Sequence, residues 1–491
     1  MNKFSDTVAT ARVSAAKKIK NVRSSNLGRT TNGAVNYKST LSKCLDFFFN
    51  ISAFRKTSPI QMFDSAFKED PEVAVRTMLY ARDIRGGARE RSMFRQLLAH
   101  IDKTNSDLAV MICTKVPEIG RWDDLLVVSQ PSTREFVYAM FAQALNDGNG
   151  LAAKWCPREK TARASDREFA AGLRKYMNLS AREYRKLLVK LTNVVETNIC
   201  AKQYKNIDYS KLPSLAANRY ADLFKKYDEK RYQKYLNDLT KGTEGVKVNA
   251  GTLFPYDVLR QSNKALQDAQ WAALPNFAGS AKILPMIDTS GSMGVGISGS
   301  TLTCRDVAYS LGMYFADKLQ GEFEGMIMTF SQSPKLFKLP KTTSVRQKYD
   351  CLCKHSIIAN TDIERAFKEI LQHAKANNVP QSDMPDYLYI FSDMQFDLGV
   401  SGSYSNGNNT THERMEKMFS DAGYKLPQVV YWNINARAGS GAPVTMHKTS
   451  TALVSGFSPD IAKVIMQAKN MTPMSILLDA VMIDRYNIHA E

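Results

Sequence analysis

Two textures of apolar spacing divide the chain. From about Tyr37 to Leu266, apolar residues recur at three- and four-residue intervals with few runs that a strand could use, which predicts a succession of amphipathic helices. "LSKCLDFFFNISAF" sets Leu41, Leu45, Phe48 and Phe49 near helical spacing. "DPEVAVRTMLYARDI" opens on an acidic residue and a proline, as helix starts do. "SAREYRKLLVKLTNVVETNI" pairs Ser180 with Glu183 as a capping box and sets Tyr184, Leu187, Leu188, Leu191, Val194 and Val195 on one face. "AANRYADLFKKYDEKRYQKYLNDL" reads as a helix pair rich in Tyr and Lys. No period repeats, so the expectation is an irregular all-α helical stack.

Near residue 280 the texture changes. "KILPMID", "GMIMTF", "KLFKL", "DYLYIFSD", "QVVYWNI" and "TALVSGF" are short apolar or β-branched runs, separated by helical patterns over 303–320, 361–376, 411–422 and 459–469. Strand alternating with helix predicts a doubly wound α/β domain on a parallel sheet. The polar loops 294–300 and 401–411 follow the first and fourth of these strands, on the carboxyl edge where such sheets bind ligands.

A chain of 491 residues exceeds one ordinary core. The expected division is a basic, mobile arm over 1–35, a helical domain over 36–279 and an α/β domain over 280–491. No run of 18 apolar residues occurs, and the start lacks the apolar core of a secretory signal. No membrane association is expected, and an amphipathic import presequence stays open. Seven scattered cysteines without a CxxC fit unpaired thiols in the cytoplasm.

Charge sharpens this division. The net charge is +18, yet residues 282–491 hold 20 basic and 20 acidic residues. The first 281 residues hold 46 basic and 28 acidic ones, so the whole excess lies there. Such asymmetry predicts that the helical half meets a polyanion, with nucleic acid first among the options. A merely soluble basic surface is the alternative.

The α/β half carries its own chemistry in "ILPMIDTSGSMG" (283–294). A buried strand runs into Asp288, with Ser290 and Ser292 two and four residues on. Hard oxygen donors alternating along an extended turn suit Mg²⁺ or Mn²⁺, which keep some water and take few carboxylates. Strand, D-x-S-x-S and helix resemble the metal-ion-dependent adhesion site of a von Willebrand factor A domain. The resemblance implies two further ligands from later loops, which "IIANTDIERAF" supplies as Thr361 and "YLYIFSDMQFD" as Asp393, with Asp397 a rival. Local readings stay open: a capped turn for the serines, an N-cap for Thr361 and a strand-end cap for Asp393. Two carboxylates neutralise a dication and leave it receptive to one more anionic oxygen, so the expected partner there is a protein bearing an acidic residue. His355, His373, His412, His447 and His489 have no motif around them, so no base is placed for hydrolysis and no enzymatic activity is expected.

The helical half also has relatives by wording. "TNGAVNYKSTLSKCLDFFFNISAFR", "RDIRGGARERSMFRQLL", "VPEIGRWDDLL", "KWCPRE" and "LPSLAANRYADLFKKYDEKRY" resemble TROVE-type proteins of the Ro ribonucleoprotein family. The likeness is closer to uncharacterised plant and large-virus or phage relatives. It implies HEAT-like helical pairs closed into a ring ahead of a von Willebrand factor A domain, with RNA gripped on the basic surface as a scaffold. On the residues themselves, "RDIRGGARERSMFR" offers Arg82, Arg85, Arg89, Arg91 and Arg95 with two glycines that let phosphates near the backbone, and "KWCPREKTAR" sets Lys154 and Arg158 beside Trp155. Residues 154–241 hold 21 basic and 10 acidic residues. The expected RNA contacts are Arg85, Arg89, Lys154, Arg158, Arg185 and Lys186. The alternatives are solvated helix faces, with Trp155 as a core anchor and Arg121 paired to Asp123 or Asp124. An interaction or assembly module without specific RNA binding remains the competing function.

Overall fold

The computed structural model describes residues 23–192, 194–297, 301–318, 323–331, 333–356, 362–396, 409–435 and 441–488. A helical N-terminal region precedes a sheet domain, as the spacing predicts. After a helical turn at Arg23–Asn26, strands β1 (Leu27–Arg29) and β2 (Val35–Tyr37) pair antiparallel. Helices α1 (Lys43–Phe49), α2 (Ile60–Glu69), α3 (Pro71–Arg82), α4 (Arg91–Thr104), α5 (Ser106–Ile119) and α6 (Pro131–Asn146) follow, consecutive members of α1 to α6 packing on one another. Asp70 caps α3 by accepting from the Val73 N–H at 3.1 Å, with Pro71 in the first turn. Next come α7 (Gly150–Trp155), α8 (Ala164–Tyr176), α9 (Ala181–Leu191), α10 (Val195–Cys200), α11 (Ser214–Tyr227), α12 (Glu229–Thr240), α13 (Pro255–Leu259) and α14 (Lys264–Ala272). The Ser180–Glu183 capping box forms in both directions, at 3.3 and 2.8 Å. Helix α9 ends at Leu191, so Val194 and Val195 lie beyond the face that spacing alone extended to them.

The sheet domain holds β3 (Ile283–Asp288), β4 (Met326–Phe330), β5 (Lys335–Lys338), β6 (Tyr387–Ser392), β7 (Gln428–Asn433) and β8 (Thr451–Ser455), in the order 5-4-3-6-7-8. Helices α15 (Cys304–Ala316), α16 (Val345–His355), α17 (Ile363–Ala376), α18 (Thr411–Asp421), α19 (Ile461–Gln467) and α20 (Pro473–Val481) complete it. All pairings are parallel except β4 with β5. The sheet is therefore mixed where an all-parallel one was expected. Four residues join β4 to β5, enough for a hairpin and too few for a crossover. Strands β3 and β8 are buried throughout, β6 and β7 nearly so, which explains their unbroken apolar runs. Gly312 lets α15 press onto β3: a Cβ there would lie 2.3 Å from the Ile287 Cδ1.

The expected division into 36–279 and 280–491 does not describe the packing. One hydrophobic cluster runs from Ala34 to Leu188 and continues from Ala250 to Tyr486. Helix α1 packs on β8, and α20 packs on α1 and α3. The Ser52 N–H donates to Ser455 Oγ (3.0 Å), and Asn433 Nδ2 donates to the Phe49 carbonyl (2.7 Å), both buried. A second, smaller cluster stands apart between Ile207 and Leu266.

The expected mobile arm is corrected over its described part. Residues 27–37 form the hairpin, and Thr30 Oγ1 donates to the Phe396 carbonyl at 2.6 Å. Tyr37 and Ala442 exchange backbone hydrogen bonds of 2.9 and 2.8 Å. This segment thus belongs to the sheet domain. Residues 1–22 lie outside the described part. All seven cysteines are unpaired. Among the described residues, no helix is long and apolar enough to cross a membrane.

Candidate functional site

Asp288 ends β3 and Asp393 follows β6, the neighbouring parallel strand. From β3 the chain builds outward to β5, then crosses back to β6 and builds to β8 on the other side. The two carboxylates therefore flank the point where the winding reverses, on the carboxyl edge, where open α/β sheets place ligand sites.

Asp288 is fully buried and Asp393 nearly so. The Ser290 N–H donates to Asp288 Oδ1 at 2.9 Å, which folds the turn after the strand, and Ser392 Oγ donates to Oδ2 at 2.6 Å. Ser290 and Ser292 bring their Oγ atoms within 3.0 Å of each other, so three of the expected oxygens converge. The Gln395 N–H donates to Asp393 Oδ1 at 3.3 Å. Met394 between them takes a φ of 64° while its N–H donates to Ser392 Oγ at 3.0 Å. A left-handed methionine is strained, and here it turns the chain sharply just past Asp393.

Burial, and after it the Asp393 carboxylate, push the Asp288 carboxyl well above the usual carboxylate range, against the hydrogen bonds from Ser290 and Ser392. Two acidic groups confined together out of water, lined with hydroxyls, form a donor set that a hard dication would relieve. Among the described residues no three His, Cys, Asp or Glu side chains converge as a metal group, so the donor chemistry is two carboxylates plus hydroxyls. Thr361 and Asp397 lie outside the described residues. Asp362 caps α17 by accepting from the Arg365 N–H at 3.0 Å. Ser392 was not anticipated from the sequence, although it directly precedes Asp393 in "FSD".

A cavity of about 260 Å³ opens beside this cluster, lined by Ser292, Asp393, Gln395 and Asn435 from the sheet side and by Thr31, Asn32, Lys56 and Thr57 from the N-terminal half. The cavity beside the candidate metal site is thus walled in part by residues between Thr31 and Thr57 of the same chain.

The expected RNA contacts separate into two groups. Arg89 is corrected: its guanidinium is buried, 3.2 Å from Asp460 Oδ2, and donates to the Thr252 carbonyl at 3.0 Å. It stacks over Phe254 at 4.8 Å, an inner clamp that a phosphate would have to displace. Arg82 and Arg95 of the same run pair with Asp124 at 2.7 and 2.6 Å. Gly87 serves the turn, not phosphate approach, because a Cβ there would sit 1.9 Å from the Tyr80 carbonyl oxygen. Arg85 is exposed while its Nη1 donates to the Glu118 carbonyl at 2.8 Å.

Lys154 lies 3.4 Å from Glu196 and 5.4 Å from the Trp155 ring, and Arg158 donates to Thr192 Oγ1 at 3.2 Å. Arg121 covers the Trp155 ring at 3.7 Å and pairs with Asp123 at 2.5 Å. Arg121, Lys154, Trp155 and Glu196 edge a groove of about 620 Å³ that also takes in Lys211, Arg219 and Tyr220; Arg158 does not line it. Arg185 and Lys186 are exposed on α9, together with Arg182 and Lys190.

Comparison with known proteins adds the following. Residues 282–481 match a family described as a domain of unknown function, DUF7788, and residues 30–104 and 158–282 match another, DUF2828. An uncharacterised protein, L728, of Acanthamoeba polyphaga mimivirus is 29% identical, over 92% of this chain and 87% of its own length. The expected likeness to uncharacterised proteins of large viruses is thereby met. The crystal structure of the Deinococcus radiodurans RO (RSR) protein aligns with a TM-score of 0.42 at 12% identity, covering 89% of this chain and 99% of that one.

Proposed function

We propose that this chain is an RNA-binding scaffold whose sheet domain holds a divalent cation for docking an anionic ligand. The observation that carries the RNA half is the cationic surface around α9. Arg182, Arg185, Lys186 and Lys190 all stand exposed on one short helix, with Glu183 tied to its own cap. Helix α9 packs on α7, which carries Lys154 and Trp155 to a groove that Arg219 and Tyr220 also line. Cations interleaved with aromatic rings suit a single strand, whose phosphates and bases need both.

The metal half rests on the carboxylate pair at the strand reversal. Asp288, Asp393, Ser290 and Ser292 would hold Mg²⁺ or Mn²⁺, with Thr361 the further ligand that the adhesion-site resemblance supplies. The cation would provide a Lewis-acidic point for one anionic oxygen. The chain's own residues do the rest: Ser392 and the Ser290 N–H orient Asp288. We assign the site to docking and no turnover to it.

The test recovers and sequences RNA crosslinked to the protein in cells. Enrichment of defined RNAs, lost when Arg185 and Lys186 are replaced by Glu, supports the reading. Random background alone overturns it in favour of an interaction module.

A further inference from the structure

The smaller cluster between Ile207 and Leu266 is built largely on tyrosines. Tyr209, Tyr232 and Tyr235 are buried in it. The Tyr209 hydroxyl donates to Asp228 Oδ2 at 2.6 Å, and that of Tyr235 to the Lys247 carbonyl at 3.1 Å. Tyr227 is the exception. It ends α11 and is 55% exposed, and among the described residues its hydroxyl makes no hydrogen bond. Its ring stacks on Tyr204, with centroids 5.7 Å apart and planes 17° from parallel. Arg231 braces the partner ring's backbone. Its Nη1 donates to the Tyr204 carbonyl at 2.8 Å and to Asp228 Oδ2 at 2.7 Å, and its Nη2 donates to the Ile207 carbonyl at 2.8 Å. A braced ring pair left open to solvent is a preformed surface for another flat ring.

The charges around the pair indicate what that ring belongs to. Lys205 adjoins Tyr204, and Lys225, Lys226 and Lys230 surround Tyr227 in sequence. All four are exposed, and among the described residues none pairs with a carboxylate. Asp228 is occupied by Arg231 and Tyr209. The nearest exposed acids in sequence, Asp222 and Glu229, offset only two of the four. The Lys226 ammonium lies 5.1 Å from the Tyr227 ring centroid, within side-chain reach of a phosphate attached to a base on that ring.

Helix α11 also repeats the arrangement. Lys226–Tyr227 stands seven residues after Arg219–Tyr220, which sets the two pairs on one helix face about 10 Å apart along the axis. Arg219 and Tyr220 line the groove described above, as does Asn206 of the turn that holds Tyr204. Tyr227 itself does not line it.

We propose that Tyr227, backed by Tyr204, is a base-stacking platform for one unpaired nucleotide of a single-stranded RNA, with Lys226 on its phosphate. This rests on the RNA reading above and adds a contact outside both α9 and the groove, so total binding and stacking are measured separately.

The experiment uses the full-length protein and short single-stranded RNAs with 2-aminopurine placed at each position in turn. Anisotropy reads affinity, and quenching of 2-aminopurine fluorescence reads stacking. At one position Tyr227→Leu should abolish the quenching, and it should weaken binding roughly tenfold or more, the worth of one stacked base. Its salt dependence should match the parent's, because the ring carries no charge. Tyr227→Phe should keep both signals. Lys226→Met should weaken binding and flatten the salt dependence by roughly 0.7 log units per log unit of salt. Parent-like binding and quenching in Tyr227→Leu overturn this inference and leave the RNA reading standing. So does a Tyr227→Phe variant as weak as Tyr227→Leu, since a ring would then not be what matters. A poly-glutamate peptide that binds the parent and loses affinity in Tyr227→Leu, while RNA binding is unchanged, assigns the platform to an acidic protein and also overturns it. No RNA binding by the parent overturns both readings.

Discussion

Arg485 grips Asp83 with two hydrogen bonds, Nε to Oδ2 at 2.5 Å and Nη2 to Oδ1 at 3.0 Å, across 402 residues of sequence. The Tyr486 hydroxyl adds a third at 3.0 Å and the Arg85 N–H a fourth at 2.9 Å. The chain's last described turn is thereby fastened to the end of α3, while Arg76 donates to the Ile483 carbonyl at 3.0 Å.

This clamp sets an acid dependence. Burial raises the Asp83 carboxyl, but hydrogen bonds and charge from Arg485, with the Arg85 N–H and Tyr486, outweigh it and hold it below the ordinary 3.8. A carboxyl depressed in the folded state contributes stability above its unfolded value, and that contribution is lost as pH falls through the folded value. At pH 7 Asp83→Asn should therefore melt below the parent, with the gap closing as pH falls under about 4. Arg485→Met, which strands the buried carboxylate, should lose about 3 kcal/mol at neutral pH. Equal melting of Asp83→Asn and parent at pH 7 would refute this account.

The carboxylate pair predicts opposite signs with and without metal. In chelator-treated buffer at pH 8, Asp288→Asn should be at least as stable as the parent, because it removes the repulsion between Asp288 and Asp393. With Mg²⁺ the parent should gain, by about 2.7 kcal/mol at a hundredfold excess over Kd, and the variant should not. Thermal melts in the four conditions decide it, and a parent indifferent to Mg²⁺ and Mn²⁺ would exclude the site.

Arg89 and the α9 cations should separate stability from RNA affinity. Arg89→Ala breaks a buried ion pair with Asp460 and should destabilise by about 3 kcal/mol, with RNA affinity per folded molecule little changed. The Arg185→Glu, Lys186→Glu double variant should keep the parent's melting temperature within about 2 °C, consistent with surface substitutions, and bind RNA at least tenfold more weakly. Its salt dependence should flatten by roughly 0.7 log units per log unit of salt for each phosphate of a single strand that is no longer neutralised. Filter binding at four salt concentrations reads both quantities.

Residues 1–279 and 280–491, expressed separately, should each fail to fold. The cluster that joins Phe49, Met78 and Phe94 to Ile287, Val454 and Leu477 would be cut open in both, exposing an apolar face too large for a soluble monomer. Dispersed amide spectra from either half alone would contradict the shared core.

The sequence by itself determined what is local. Five of the six strand runs were legible because residues buried on both faces read as unbroken apolar stretches, whereas β5, a more exposed edge strand, showed only as the short "KLFKL". The Ser180–Glu183 capping box and the helices within 303–320, 361–376, 411–422 and 459–469 were legible because their partners lie within a turn or two, whereas α16 and α20 were not marked out. Asp288, Ser290 and Ser292 were legible because one turn gathers them. Tertiary structure alone decided everything with a distant partner. No local signal tells Arg89 from Arg185, yet Asp460 stands in the path of the first and solvent before the second. The docked hairpin, the Asp83 clamp and the cavity that joins Lys56 to Gln395 likewise come from segments tens to hundreds of residues apart. Burial and ion pairing depend on what the rest of the chain brings alongside, so residue type and spacing could propose these groups and only packing could assign them.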